Sequence, residues 1–293
     1  MDSTHSFSWR DPIHLDAAGL QAFAELADEF ARQSVAHAAG LVGLSPNDLN
    51  SKEDVLRGYE ETEFWKVPDD VRALANEFEK ITKYKYDVKL KSGLNLTNIG
   101  MDQLLSLPNA PNNPIVQITT SNNSYIYGFS IDWNTDRDYL PTFVNLRGPF
   151  QLVDHFNSQI TSRLMACTNV WKSAREFWPR FIVSASVAIV FAYATTGIDK
   201  KIANMIEPND LAFRTGFVIF CSLTLAYVLT ISIFSYLRDL IKSLVPLVEF
   251  RIGGGVERAA NREGVRRIFF WTIPVLGIIL PLLMAYLFKL FAG

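Results

Sequence analysis

The chain has 293 residues, of which 49% are hydrophobic and 20% are charged, with 13 prolines, 16 glycines and two cysteines. This composition excludes a disordered, collagenous or coiled-coil protein, and two cysteines are too few for a disulfide scaffold. The charge is uneven, because residues 1–165 carry 14 basic and 22 acidic residues whereas residues 166–293 carry 14 and 8. We predict an acidic cytoplasmic domain followed by a basic membrane domain.

The N-terminal third is predicted to be helical. Apolar residues recur at every third or fourth position over residues 16–39, and Gly40 is the expected end of this helix. A second helix start is predicted at Ser45, and a third helix opens at Pro68. The first twenty residues hold no apolar stretch, so no cleavable signal peptide is expected.

The periodicity then changes from helical to alternating. Residues 83–91 alternate Tyr, Val and Leu with Lys and Asp, which predicts a half-buried antiparallel strand. Residues 115–120 and 125–133 are predicted to form a hairpin, and residues 142–147 a further strand. We therefore expect an α+β domain over residues 1–165, with helices first and a small antiparallel sheet after them.

Basic residues in and beyond the first predicted strand are the candidate ligand-binding residues. They are Lys83, Lys85, Lys89, Lys91, Arg137 and Arg147. In a strand the lysines face away from Tyr84 and Tyr86, which are then core residues and not a base-stacking surface. Two interpretations remain open: the lysines protect an edge strand from aggregation, or they bind an anionic ligand. Residues 1–79 carry 6 basic and 16 acidic residues, so non-specific binding to duplex DNA is not expected.

Two further segments of this half have predicted roles. The loop over residues 108–114 is rich in Pro and Asn and is expected to be exposed. A long helix is predicted from Phe150 to about Trp178, leading to the membrane domain. The four histidines are scattered, and the sequence carries no zinc-protease, thiol-redox, serine-hydrolase or P-loop motif. We therefore predict no enzymatic activity, no metal and no cofactor.

Three uncharged apolar stretches cover residues 181–198, 215–237 and 268–288. Each is long enough to cross a hydrocarbon core of about 30 Å. We predict that residues 166–293 form an all-α membrane unit of three transmembrane helices. The Lys and Arg counts beside the stretches place the N-terminal domain and an Arg-rich loop, 238–267, in the cytoplasm. The C-terminus is then on the opposite side of the inner membrane.

Small, hydroxyl and proline residues within these stretches are candidates for helix packing or for lining a pore. They are Ser184, Ala188, Ala192, Thr224, Tyr227, Ser232, Ser235, Pro274 and Pro281. Small residues at four-residue spacing let helices approach closely, and prolines kink a helix. These features also occur in ordinary helix packing, but together they predict a homo-oligomer, with a tetramer favoured.

The triple glycine Gly253-Gly254-Gly255 lies between the second and third stretches. It lacks the Lys-Ser/Thr pair of a phosphate-binding loop. We predict a hinge between two short cytoplasmic helices, because glycine permits almost any backbone angle.

An acidic α+β domain followed by a few C-terminal apolar helices resembles the membrane effectors of bacterial anti-phage defence systems. These include effectors of cyclic-oligonucleotide signalling and the channel effector of Hailong-type systems, which a nucleotide oligomer controls. The resemblance is one of domain order and size over the whole chain. It implies oligomerisation, a nucleotide-like ligand and membrane depolarisation. The leading hypothesis is a homo-oligomeric ligand-gated pore or ion channel, and the alternative is a membrane-anchored scaffold that recruits a cytoplasmic partner protein.

Overall fold

A computed structural model describes residues 2–60, 62–122, 124–136, 141–172, 235 and 239–272. The chain divides into two compact units. The first is Met1–Asn169 with Pro246–Ala260, and the second is Val170–Val245 with Asn261–Gly293.

The strands of the described residues all belong to the first unit. They are β1 (Asp2–Trp9), β2 (Ile13–Asp16), β3 (Lys85–Leu90), β4 (Asn95–Ile99), β5 (Ile115–Ser121), β6 (Phe129–Asn134), β7 (Thr142–Pro149) and β8 (Val248–Arg251). Six of them form an antiparallel sheet in the order β1-β7-β6-β5-β3-β4. The alternation in residues 83–91 is confirmed, because β3 buries Tyr86 and Val88 and exposes the residues between them.

The α-helices of the first unit are α1 (Ala17–Val42), α2 (Lys52–Leu56), α3 (Asp69–Thr82), α4 (Met101–Ser106) and α5 (Phe150–Ala166). Helices α1, α3 and α5 bury apolar residues against one face of the sheet. The ring of Phe30 in α1 lies 5.5 Å from Phe129 of β6 and 5.1 Å from Phe156 of α5. Helix α1 runs past Gly40 and ends at Gly43, whose φ of 71° closes the helix in the left-handed region.

A second, two-stranded sheet joins distant parts of the first unit. Strand β2 pairs in parallel with β8, so that Ile13 lies opposite Val248 and Leu15 opposite Phe250. On its other side, Ile13 forms an antiparallel bridge with Thr168. The chain leaves the first unit after residue 169 and returns to it at residue 246. The segments on both sides of this excursion therefore pair with the same short strand, β2.

The glycine turn after β8 is packed against the loop over residues 107–109. The N–H of Gly254 donates to the Pro108 carbonyl at 2.7 Å. Gly253 has a φ of 49°, and a Cβ there would lie 2.6 Å from the same carbonyl oxygen. A Cβ on Gly255 would collide with the Phe250 carbonyl oxygen and the Asn109 side chain. Gly253 and Gly255 are required by close backbone approach at this strand-to-helix turn, and the helix over residues 255–272 begins at Gly255.

The second unit contains a small core in its described residues, formed by Leu244, Val245 and Phe270. The Trp171 ring stacks on Phe270 with centroids 5.1 Å apart, and its Nε1 donates to the Glu263 carboxylate at 3.0 Å. Arg266 is fully buried and donates from Nε to the Leu244 carbonyl.

The prediction of helices first and a small sheet after them is wrong. The chain begins with β1, which forms one edge of a large six-stranded sheet by pairing with β7. Helix α5 ends at Ala166, before the predicted end near Trp178. The physical reason is that β1 pairs with residues about 140 positions away, so its own short pattern gave a weak signal.

The prediction of a membrane unit is also contradicted. In the part of the chain that the structure describes, no helix combines the length and the apolar character needed to cross a bilayer. Of the predicted spans, 181–198 lies outside the described residues, as does 215–237 apart from Ser235 and 268–288 from residue 273 onward. The all-α membrane unit, the inner-membrane localisation and the ion-channel assignment are corrected by this finding and are not carried further.

Candidate functional site

The face of the six-stranded sheet that points away from α1, α3 and α5 is polar. Residues directly opposite each other on neighbouring strands point to the same side of a sheet. The registers therefore define one continuous surface, which we call the open face. It includes Thr4, Ser6, Ser8, Lys85, Asp87, Lys89, Asn95, Gln117, Thr119, Ser121, Ser130, Asp132, Asn134, Phe143, Asn145 and Arg147.

Three of the predicted ligand-binding residues lie on the open face, two of them on β3 and one on β7. Lys85 and Lys89 are exposed on β3, and Arg147 is half-buried on β7. Strands β3 and β7 are three strand spacings apart, which corresponds to about 14 Å. The basic groups therefore border a surface longer than a single phosphate group.

The other predicted residues lie elsewhere. Lys83 precedes β3 and forms an ion pair with Glu79 of α3 at 3.0 Å. Lys91 follows β3 and is exposed, and Arg137 lies outside the described residues. Strand β3 lies between β5 and β4, so it is not an edge strand and its lysines do not protect one.

An aromatic residue that the sequence pattern did not single out lies on the open face, on the strand next to the edge strand β1. Phe143 of β7 is 38% exposed and lies opposite Asp132 of β6 and Ser8 of β1. The sequence feature that could have identified Phe143 as an outward-facing residue is the period of two in β7, where it alternates with the buried Thr142 and Val144. Deciding which side of the sheet it occupies required the register.

The tyrosines of the lysine-rich segment are on the opposite side, as predicted. Tyr86 is buried in the core, and burial raises the pKa of Tyr86 to about 12. Tyr84 packs edge-on against Phe129 with ring centroids 5.6 Å apart, and burial raises the pKa of its phenol as well. Neither ring is available to a ligand on the open face.

Hydrogen bonds within the open face engage its carboxylates. Asp132 accepts from Gln117 Nε2 at 2.7 Å and from Thr119 Oγ1 at 3.0 Å. Asp87 accepts from the N–H of Asn98 at 2.9 Å. Because these carboxylates already receive donors of the sheet, they are ordered groups that can accept a further hydrogen bond from a ligand.

The loop before β6 fixes the end of the open face near Arg147. Arg147 donates from Nη1 to the Tyr125 carbonyl at 3.1 Å, and the Tyr125 N–H donates to Glu77 of α3 at 3.0 Å. Burial raises the pKa of Glu77, but hydrogen bonds from Lys80 and from the Tyr125 N–H outweigh that effect and leave the pKa below its ordinary value. The guanidinium of Arg147 is therefore hydrogen-bonded to a loop that is itself hydrogen-bonded to α3.

The remaining candidates do not extend this site. Ser235 is helical and exposed, and the other residues proposed for packing or pore lining lie outside the described residues. Gly253, Gly254 and Gly255 form the packed turn described above. Within the described ranges, no group of three or more His, Cys, Asp and Glu side chains is placed to hold a metal ion. The homo-oligomer stays a prediction.

No family model matches the chain, and neither a curated protein nor a solved structure gives a significant match.

Proposed function

We propose that the first unit is a recognition module that binds a nucleotide-type anion, a nucleotide or an oligonucleotide, on the open face of its sheet. The observation that carries this proposal is the position of Lys85, Lys89, Arg147 and Phe143 on one side of the same sheet. Such a ligand is also what the resemblance to nucleotide-controlled defence effectors implies.

The chemistry of the surface favours a nucleotide over a simple anion. Lysine and arginine side chains contact phosphates, and an exposed aromatic ring provides a stacking surface for a base. Asp87 and Asp132 would repel a ligand that carries only negative charge, but they accept hydrogen bonds from the amino groups of a base. The amides and hydroxyls of Gln117, Thr119 and Asn145 add donors and acceptors at half-buried positions.

The test is fluorescence anisotropy of a labelled oligodeoxycytidylate of about ten nucleotides, whose bases carry the amino groups that Asp87 and Asp132 would accept from, titrated with the purified full-length chain. We expect saturable binding that weakens with added salt. The Phe143→Ala variant should bind about 5- to 150-fold more weakly, the range for removal of one base–aromatic stack. The Lys85→Ala/Lys89→Ala variant should lower the slope of log K against log salt by about 0.7 for each phosphate that the lysines no longer neutralise.

Arg32→Ala is the matched control. Arg32 is an exposed basic residue of α1, in the layer of helices on the other side of the sheet. Its removal changes the net charge by one without touching the open face, so binding should stay as in the unmodified chain. Absence of binding, or equal affinities for the Phe143, lysine and Arg32 variants, would refute the proposal.

A further inference from the structure

A second surface of the first unit carries exposed aromatic rings. The 3-10 turn Phe64–Lys66, which we call the aromatic turn, presents Trp65 with 69% and Phe64 with 42% of its surface exposed. Val55 and Val67 on either side of it are buried in the main core. The turn is therefore anchored by its flanks, while its indole is largely exposed.

The two rings of the aromatic turn have different surroundings. Lys52 Nζ lies 5.8 Å from the centroid of the Phe64 ring, and the Arg72 guanidinium lies 5.9 Å from it. These cation–π contacts engage Phe64 within its own unit. Trp65 is the ring that projects furthest into solvent.

The segment around the aromatic turn is strongly acidic. Residues 47–70 contain eight acidic and three basic residues, a net charge of −5. The basic groups are already engaged, since Arg57 pairs with Asp54, Lys66 pairs with Glu63 and Lys52 lies over Phe64. Arg72, which lies over Phe64 from outside the segment, pairs with Asp69, so the segment keeps an excess of carboxylates over the cations that pair with it.

We propose that the aromatic turn and the acidic segment 47–70 form a docking surface for a basic segment of another protein. An apolar side chain of that segment packs on Trp65, and its Lys or Arg residues face the carboxylates. Charge complementarity selects this partner, because opposite potentials steer association and like charges exclude acidic proteins. Exposed Trp residues dominate the binding energy of many interfaces, so Trp65 is the expected anchor. This surface is independent of the open face, and its function goes beyond ligand recognition there.

The experiment measures binding of a synthetic helical Lys/Leu peptide to the purified full-length chain by titration calorimetry, with a Glu/Leu peptide of the same length as the acidic counterpart. The Lys/Leu peptide should bind saturably and the Glu/Leu peptide should not. Trp65→Ala should weaken binding about 10- to 100-fold, as expected for a central aromatic anchor. Glu60→Lys combined with Glu63→Lys should weaken it by a similar factor through charge reversal.

Two controls keep the outcome specific. Leu41→Ala removes another exposed apolar side chain, at the end of α1, and should leave the affinity unchanged. Lys85→Ala/Lys89→Ala should also leave it unchanged, which separates this surface from the open face. The proposal is overturned if no peptide binds, or if Trp65→Ala binds as well as Leu41→Ala. It is also overturned if the chain self-associates through Trp65, because the partner is then a second copy.

Discussion

Asn109 binds the C-terminal segment of the first unit through its side chain, in addition to the backbone pairing of β8 with β2. Its side chain is buried, and its Nδ2 donates to the carbonyls of Phe250 at 3.2 Å and Ile252 at 3.1 Å. Its Oδ1 accepts from the Ile115 N–H at 2.9 Å and from Arg258 Nη2 at 2.6 Å. We predict that Asn109→Ala destabilises the first unit.

The magnitude follows from the groups that this amide binds. The substitution removes a hydrogen-bond partner from two carbonyls, one backbone N–H and one guanidinium N–H in a buried position. A buried polar group without a partner costs about 1–3 kcal/mol, and relaxation of the loop recovers part of the total. Asn109 also has a φ of 42°, a region that Asn tolerates better than Ala. We expect the free energy of unfolding to fall by about 3–5 kcal/mol.

The assay is urea unfolding of the full-length chain followed by circular dichroism, with hydrogen–deuterium exchange to locate the change. Exchange should accelerate in residues 246–260, because the amide no longer binds them, and in β2, because β2 pairs with β8. Asn112→Ala is the matched control, since Asn112 belongs to the same loop and its side chain is exposed. If the Asn109 variant unfolds within about 0.5 kcal/mol of the Asn112 variant, this reasoning is refuted.

Three further predictions test the packing of the first unit and the helix that follows β8. Gly255→Ala should destabilise the chain by about 2 kcal/mol or more in the same urea assay, because the added Cβ collides with the Phe250 carbonyl. Gly264→Ala should stabilise the chain by about 1 kcal/mol, because Gly264 lies in the helix over residues 255–272 with open space around it. Thr142→Val should raise the melting temperature or leave it unchanged, since the Thr142 hydroxyl is buried with no hydrogen-bond partner within the described residues. A lower melting temperature would contradict that. Burial raises the pKa of Tyr86 from 10.0 to about 12, so the unfolded state releases this proton first and stability should fall as pH rises from 10 to about 12. Tyr86→Phe should flatten that slope in melting curves, and an unchanged slope would count against the assignment.

Local patterns were sufficient for much of the first unit. The period of two in residues 83–91 identified β3 and the burial of Tyr86, because alternation in a half-buried strand depends only on neighbours in sequence. The spacing of apolar residues identified most of α1 and α3 for the same reason. In each case the sequence element and the buried face are properties of one contiguous segment.

Contacts between distant segments could not be obtained in this way. The loop over residues 108–114 was predicted to be exposed because it is polar, yet Asn109 within it is buried by the turn after β8. The side of the sheet on which Phe143 lies depends on pairing between β6 and β7 and on the helices that cover the other side. The three consecutive glycines, Gly253–Gly255, suggested a hinge with free backbone rotation. In the structure, Gly253 and Gly255 instead allow the backbone of the turn to approach neighbouring segments closely.

The pairing of β2 determines how both binding surfaces have to be studied. Ile13 and Leu15 are fully buried, and β8 covers one side of β2 while Thr168 borders the other. A chain that ends at residue 169 would lack β8 and the groups that Asn109 binds, so buried apolar and polar atoms of the first unit would be exposed to water. Because α1 begins at the end of β2 and supports the sheet beneath the open face, this change would reach the ligand-binding residues. The full-length chain is therefore the appropriate molecule for each binding experiment.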